Sequence, residues 1–436
     1  MTYQEGLTYL EELAVFGVRL GLDRMTELLR RLDFPQNRYP TVHITGTNGK
    51  GSVAAMTAKI LESAGLRTGL YTSPHLAAYP ERIQIDGEAV SEADFAAGLG
   101  EIKKQVAVMV AQGEECPTQF EVLTALAFWL FAQRQVEYAV IEVGLGGLLD
   151  STNVITPEVT VITNVTLEHA DKCGGTLEGV ARHKAGIIKD GVPVVTAARG
   201  EPLRIIKEVA AQKNTDVFVL GEDFEVTDDG GDKHGQRFRF TSKLLGKVEI
   251  PYEIHLLGTY QRENAALAVM TGELLHNSDE RIDEGTIRKG LSLALWPGRF
   301  ELIKFKGATT VIDGAHNPAG MVALRQSLDK YFPHEKRLFL LGILRDKDRE
   351  DMLASLLRSE DKVIVTEPPS PRAAACSDVA ATAKRITAEV ACVREPIAAL
   401  AKALEQVESS SPSILVITGS LYLVGAMREQ LRQLND

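Results

Sequence analysis

The 436-residue sequence is poor in cysteine, in positive charge and in long apolar runs, and each shortage removes a class of protein. Its four cysteines (Cys116, Cys173, Cys376 and Cys392) are scattered with no C-x-x-C pair. That argues against a zinc site or a disulfide framework and for reduced thiols. A net charge of −11 supplies no basic face for nucleic acid, though an acidic protein can still be locally positive around an anionic small molecule. No apolar run is long enough to span a bilayer, so no membrane partner is expected. The N-terminus carries Glu5, Glu11 and Glu12 where a secretory leader would be basic and then apolar, so the expected location is the cytoplasm. What remains is a chain 44 % apolar and 25 % charged, too long for one core, for which two or three domains are expected.

Residues 41–52, Thr-Val-His-Ile-Thr-Gly-Thr-Asn-Gly-Lys-Gly-Ser, organise the chain. An apolar strand run stops at Gly46, three glycines frame Lys50, and a helical pattern follows from Val53. Glycines that let N–H groups face an anion, a lysine and a helix N-terminus together make a phosphate cradle. The spacing departs from the standard G-x-x-x-x-G-K-[ST] loop: two residues separate Gly46 from Gly49, and Gly51 stands between Lys50 and Ser52. An ordinary strand-to-helix turn is the competing reading. Downstream, strands expected at 67–72, 138–143, 158–164 and 192–196 alternate with helices near 119–133 and 177–189, which implies parallel pairing. Residues 217–256 read instead as an antiparallel hairpin region punctuated by Asp228-Asp229-Gly230-Gly231. Helices near 260–276 and 284–295 lead to Pro297-Gly298, the expected domain boundary, and a second α/β series follows.

Polar residues at the carboxyl ends of parallel strands carry most weight, because the ligand crevice of an open α/β sheet lies there. Ser73, Glu142, His169 and Asp313 occupy such positions. A carboxylate on a buried strand is costly unless it meets a cation. Glu142 therefore implies either an internal salt bridge or, with Ser52 and Ser73, an oxygen site for Mg²⁺. His169 alone reads equally as a structural histidine, and Lys184 as a solvated or ion-paired helix residue.

The ordered set resembles the Mur-ligase superfamily, and within it the folylpolyglutamate synthase/dihydrofolate synthase family. The resemblance rests on His43 to Ser52, Thr72-Ser73-Pro74-His75-Leu76, Glu142-Val143-Gly144-Leu145-Gly146-Gly147, His169, Lys184-Ala185-Gly186, Gln261 with Asn264, Pro297-Gly298-Arg299, Asp313-Gly314-Ala315-His316-Asn317-Pro318, Asp346-Lys347-Asp348 and Thr418 to Tyr422. It implies an α/β fold: an N-terminal P-loop-type, mostly parallel sheet domain over 1–297, and a smaller C-terminal Rossmann-like α/β domain over 298–436. It further implies ATP held by Thr47, Asn48, Gly49, Lys50, Gly51, Ser52, Asn264, Arg299 and Asp313, with His316 close by. Two Mg²⁺ sites would draw on Ser52, Ser73, Glu142 and His169, and Lys184 would be carbamylated. Lys50, Lys184 and His316 become the catalytic candidates, and Thr118, Gln119 and Phe120 fall where the family contacts its pterin substrate. The implied activity is ATP-dependent addition of L-glutamate to dihydropteroate or to folates through an acyl phosphate, by a monomer. Another amino-acid ligase of the superfamily, or an ATP-binding homologue without catalysis, stay open as alternatives. Three departures stand out: Leu148 in place of an arginine after Gly-Leu-Gly-Gly, His183 in place of a glutamate before Lys184, and Asp171-Lys172-Cys173-Gly174 in place of Asp-x-Leu-Gly.

Overall fold

The chain, in the form of a computed structural model, is described over residues 1–168, 170–305, 308–408 and 413–435. Helices α1 (Tyr3–Ala14) and α2 (Asp23–Arg31) precede β1 (Thr41–Thr45) and α3 (Lys50–Ser63). Then follow β2 (Thr68–Tyr71), β3 (Ile83–Ile85), β4 (Glu88–Ala89), α4 (Glu92–Ala111), α5 (Gln119–Gln133) and β5 (Tyr138–Glu142). The first sheet closes with β6 (Val159–Ile162), α6 (Leu177–Ala185), β7 (Val194–Thr196), α7 (Gly200–Gln212) and β8 (Val217–Val219). Its order is β4-β3-β2-β5-β1-β6-β7-β8, parallel from β2 to β8. Only the edge strands β3 and β4 run antiparallel. Every residue of β1, β5 and β6 is buried, as strands covered by helices on both faces must be. The chain leaves β1 toward β2 on one side and later returns to β6 on the other, so the sheet's switch point lies at the carboxyl end of β1.

Strands β9 (Glu225–Asp232), β10 (Gly235–Ser242) and β11 (Lys247–Ile254) form a separate antiparallel sheet. The expected hairpin is thus three-stranded. The acidic glycine-rich run read as punctuation is itself the strand β9, with an irregularity in its register opposite Gln236–Phe238. Phe238, Phe240, Tyr252 and Ile254 supply its buried face.

After α8 (Gln261–Leu275) and α9 (Glu284–Leu293), the second large sheet begins with β12 (Glu301–Phe305) and β13 (Ala308–Ile312). It continues through α10 (Pro318–Tyr331), β14 (Lys336–Leu341), α11 (Arg349–Leu356), β15 (Lys362–Val365), α12 (Cys376–Ala383), β16 (Val390–Cys392), α13 (Pro396–Glu408), β17 (Ser413–Thr418) and α14 (Leu421–Asn435). Its order is β12-β13-β17-β14-β15-β16, parallel except for the edge strand β12. The fold class is the expected one. The expectation of four reduced thiols is corrected: Cys376 and Cys392 are joined in a disulfide between the start of α12 and the end of β16. Their 16-residue separation carries no sequence signal, because only the packing of α12 beside β16 brings them together.

The parts meet at several places. Leu257 packs with Phe300 and Val311 in a core belonging to the second sheet, and Leu76 packs against the core that contains Val424. The hairpin sheet reaches across as well. Asp228 pairs with Lys330 of α10 at 3.1 Å, and Lys233 pairs with Glu335 at 3.0 Å.

Candidate active site

The cradle hangs from β1, and its glycines are dictated by space and by dihedral angle. Gly46 has φ +149° and Gly49 +89°, and a Cβ on either would collide, with the Thr163 hydroxyl or the Asn264 amide. The first helical bond of α3 runs from Val53 N–H to the Gly49 carbonyl at 2.9 Å, which leaves the N–H groups ahead of it without helical partners. The loop 163–168, after β6, braces the cradle from behind. Thr47 N–H donates to the Asn164 carbonyl (2.8 Å), Asn48 N–H to Asn164 Oδ1 (3.0 Å), and Thr163 Oγ1 to the Asn48 carbonyl (2.6 Å). Thr47 and Asn48 thus commit their N–H groups to the brace, while Gly49 to Ser52 line the crevice ahead of the first helical bond. Lys50 Nζ curls back to the carbonyls of Gly46 and Thr47, both at 3.2 Å.

A carboxylate and a second lysine face the cradle. Glu142 is buried at the end of β5, and one oxygen accepts from Ser73 N–H at 3.1 Å. Burial raises its pKa, and the nearby Lys50 works in the opposite direction. A buried carboxylate beside the Ser73 backbone, with the Ser52 hydroxyl close to the same crevice, is a donor set that suits a hard cation. Ser52 Oγ accepts from Gln261 Nε2 at 3.2 Å. No cluster of three His, Cys, Asp or Glu exists among the described residues, so any cation here must also use hydroxyl or ligand oxygens. His169, expected in this set, lies outside the described residues. Lys184, on α6, is buried and donates to the Gly46 carbonyl at 2.6 Å. Burial first, then the neighbouring Lys50, lowers its pKa from 10.5 to about 7.

The second sheet completes the crevice. Asp313, buried at the end of β13, accepts from Phe300 N–H (2.9 Å), Ala315 N–H (2.8 Å) and Tyr260 Oη (3.0 Å). Burial raises its pKa against the pull of Arg299. His316 Nδ1 bonds to the Gly314 carbonyl at 2.8 Å, and its Nε2 lies 3.5 Å from Glu168. Asn317 caps α10 and exchanges amide contacts with Asn48, at 3.1 Å in one direction. A cavity of about 620 Å³ joins Gly46 to Ser52, Ser73, Glu142, Lys184, Asn264, Arg299, Asp313 and His316. The residues expected around ATP, and Ser52, Ser73, Glu142 and Lys184 with them, therefore converge from two sheets onto one space.

Profiles of known families align with both halves. The Mur ligase middle domain matches residues 44–272, and the Mur ligase glutamate ligase domain matches residues 298–421. The dihydrofolate synthase/folylpolyglutamate synthase of Bacillus subtilis (strain 168) is 33 % identical over 433 residues, covering 99 % of each chain. The folylpolyglutamate synthase of Lacticaseibacillus casei is 37 % identical over 443 residues, again 99 % of each. The chain belongs to this family of Mur ligases. The crystal structure of the Mycobacterium tuberculosis folylpolyglutamate synthase complexed with ADP and AMPPCP superposes with a TM-score of 0.89 at 33 % identity, covering 98 % of this chain and 99 % of that one.

Within this Mur ligase the pterin-side candidates do not line the cavity itself. Thr118 caps α5, and Gln119 spends its amide on the Leu10 carbonyl (2.9 Å) and Tyr79 Oη (3.1 Å). Phe120 stacks on Tyr71 and fills the space a Cβ on Gly144 would need, which puts it behind the cavity wall. The three departures gather around one turn. Leu148 N–H donates to the His183 carbonyl at 2.7 Å, and both His183 and Cys173 sit against Gly146. Glu168, Tyr260, Lys347 and Arg372 also line the cavity and were not singled out from sequence. Tyr260 stood at the start of the helix expected near 260–276, and Lys347 in a matching motif without a role. Glu168 had only its neighbour His169 to point to it.

Proposed function

We propose that the protein is an ATP-dependent carboxylate–amine ligase that adds L-glutamate to dihydropteroate, to tetrahydrofolate or its polyglutamates, or to both. One observation carries the reading. A glycine-framed lysine, a buried carboxylate, a buried lysine and an aspartate from the second sheet share one cavity, in a chain similar over nearly its whole length to folylpolyglutamate and dihydrofolate synthases. A monomeric cytoplasmic enzyme with a boundary at Pro297-Gly298 belongs to the same proposal. The boundary is supported by strands of the second sheet that begin at Glu301.

In this mechanism the acceptor's carboxylate attacks the γ-phosphorus of ATP and ADP leaves. The α-amine of glutamate then opens the acyl phosphate, expelling phosphate as the amide forms. The protein supplies no nucleophile; its work is positioning and charge stabilisation. The N–H groups from Gly49 to Ser52 and the Lys50 ammonium, released from its carbonyls, grip the phosphates. Asn264, Arg299 and Asp313 hold the nucleotide from α8 and from the second sheet, with His316 at their side. Ser52, Ser73 and Glu142 would hold Mg²⁺, which when bound neutralises phosphate charge and polarises the transferring group. With its pKa lowered to about 7, Lys184 offers a substantial fraction of free amine at neutral pH, the form that adds CO₂; a carbamate there would place an anion where the amine stood. Thr118, Gln119 and Phe120 shape the pterin side.

The test is ATP- and glutamate-dependent ADP release with dihydropteroate, tetrahydrofolate and a muramyl acceptor in parallel. Release with the first or second supports the proposal, and release with the muramyl acceptor alone, or with none, overturns it. Lys50→Ala should lower turnover by about 10²- to 10³-fold, the usual effect of removing one preorganised group that stabilises charge in the transition state.

A further inference from the structure

We propose that Glu168 is a positioning residue that locks the second sheet's half of the site onto the cradle, an inference that rests on the ligase reading above. It ends the loop 163–168, whose earlier residues brace Thr47 and Asn48. Its own carboxylate crosses to the other sheet. Oε1 takes Lys347 Nζ at 3.0 Å and His316 Nε2 at 3.5 Å, and Oε2 takes Asn317 Nδ2 at 3.1 Å. These partners come from two separate turns, one after β14 and one between β13 and α10. The side chains of Glu168 and Lys347 are only 11 % and 12 % exposed, so the pair is shielded from solvent, unlike peripheral pairs such as Arg385–Glu350 at 68 % and 65 %.

A continuous path results: cradle, brace, Glu168, then the 313–318 turn that carries Asp313 and His316. Asn317 closes it by its amide exchange with Asn48. Neutralising Glu168 leaves Lys347 desolvated without a counter-charge and frees two turns at once. The cradle keeps its own brace, so nucleotide capture on the first sheet survives while the alignment of reacting groups degrades. A misplacement of about 1 Å costs on the order of 100-fold in rate.

The experiment is a double-mutant cycle of Glu168→Gln, Lys347→Met and both together, with Glu168→Asp as the charge-retaining control. It is read by steady-state ADP release and by amide hydrogen exchange over residues 313–318. We expect each single variant to lose about 30- to 100-fold in kcat with KM for ATP within about threefold, following the positioning argument. The double variant should be no worse than the poorer single, Glu168→Asp should keep most of the rate, and exchange over 313–318 should rise in the Gln and Met variants. Losses that multiply in the double variant, an effect confined to KM, or unchanged exchange would overturn the role. Wild-type protein that releases no ADP with any acceptor sinks the ligase reading alone, because the exchange cycle still decides for or against Glu168.

Discussion

Replacing Lys184 by methionine should stabilise the protein while abolishing its activity, and the gain should fade as pH rises. Lys184 is buried, and its pKa falls from 10.5 in the unfolded chain to about 7 in the fold. Below pH 7 both states hold the proton, and the fold bears the full cost of a charge removed from water. Between 7 and 10.5 only the unfolded state binds it, so the cost declines; above 10.5 neither does, and the cost is gone. The shift corresponds to about 4 kcal/mol at pH 7, about 2 at pH 9 and nearly nothing at 10.5. Methionine forfeits the hydrogen bond to the Gly46 carbonyl, worth about 1 kcal/mol for an uncharged donor, so the net gain at pH 7 is about 3 kcal/mol. The difference in unfolding free energy between variant and wild type, from urea titrations at pH 7, 8 and 9, should shrink by about 2 kcal/mol across that range. A flat difference, or one that grows with pH, refutes the buried-amine argument. Bicarbonate in the titrations should stabilise wild type and leave Lys184→Met unchanged if the amine takes up CO₂, and intact mass spectra would show the adduct.

Other perturbations separate space from charge. Gly46→Ala places a methyl group against the Thr163 hydroxyl at a positive φ; it should cost about 1–3 kcal/mol of stability and weaken ATP binding at least about tenfold, measured by calorimetry. Glu142→Gln removes a buried carboxylate whose charge burial disfavours; thermal stability should hold or rise slightly while turnover drops at least about 100-fold and saturating Mg²⁺ fails to restore it. A fall in melting temperature without loss of rate would mean that Glu142 serves the core. Arg299→Lys keeps the charge but loses the planar fork; it should raise KM for ATP more than it lowers binding of glutamate.

The strands at 41–45 and 138–142 were legible because both sheet faces are covered and the sequence answers with β-branched and apolar residues, Val42 and Ile44 in one and Tyr138 to Ile141 in the other. Helix α5 was legible near 119–133, and the structure adds its start signal, a capping box between Thr118 and Glu121. Strand β9 was not. Its Asp-Asp-Gly-Gly run has a turn's composition, and it becomes a strand only because β10 lies beside it. The cradle could be found locally, as one segment supplies loop, lysine and helix start. Lys184 could not be judged from its helix: the Gly46 carbonyl it meets in its burial stands 138 positions earlier in the chain. Glu168 was invisible for the same reason, its partners lying 148 to 179 residues downstream.

The peptide linkage near Pro297 is one of several ties between the halves. Leu257 sits inside the second sheet's core, Leu76 leans on Val424, and the hairpin sheet is pinned to α10 and the turn after it through Asp228 and Lys233. Leu295, just before the linkage, is exposed and open to a protease. A chain nicked there should run as one particle on a sizing column and keep its turnover. The halves, expressed as two polypeptides, should find each other, which makes this ligase a candidate for a split reporter whose signal depends on reassembly.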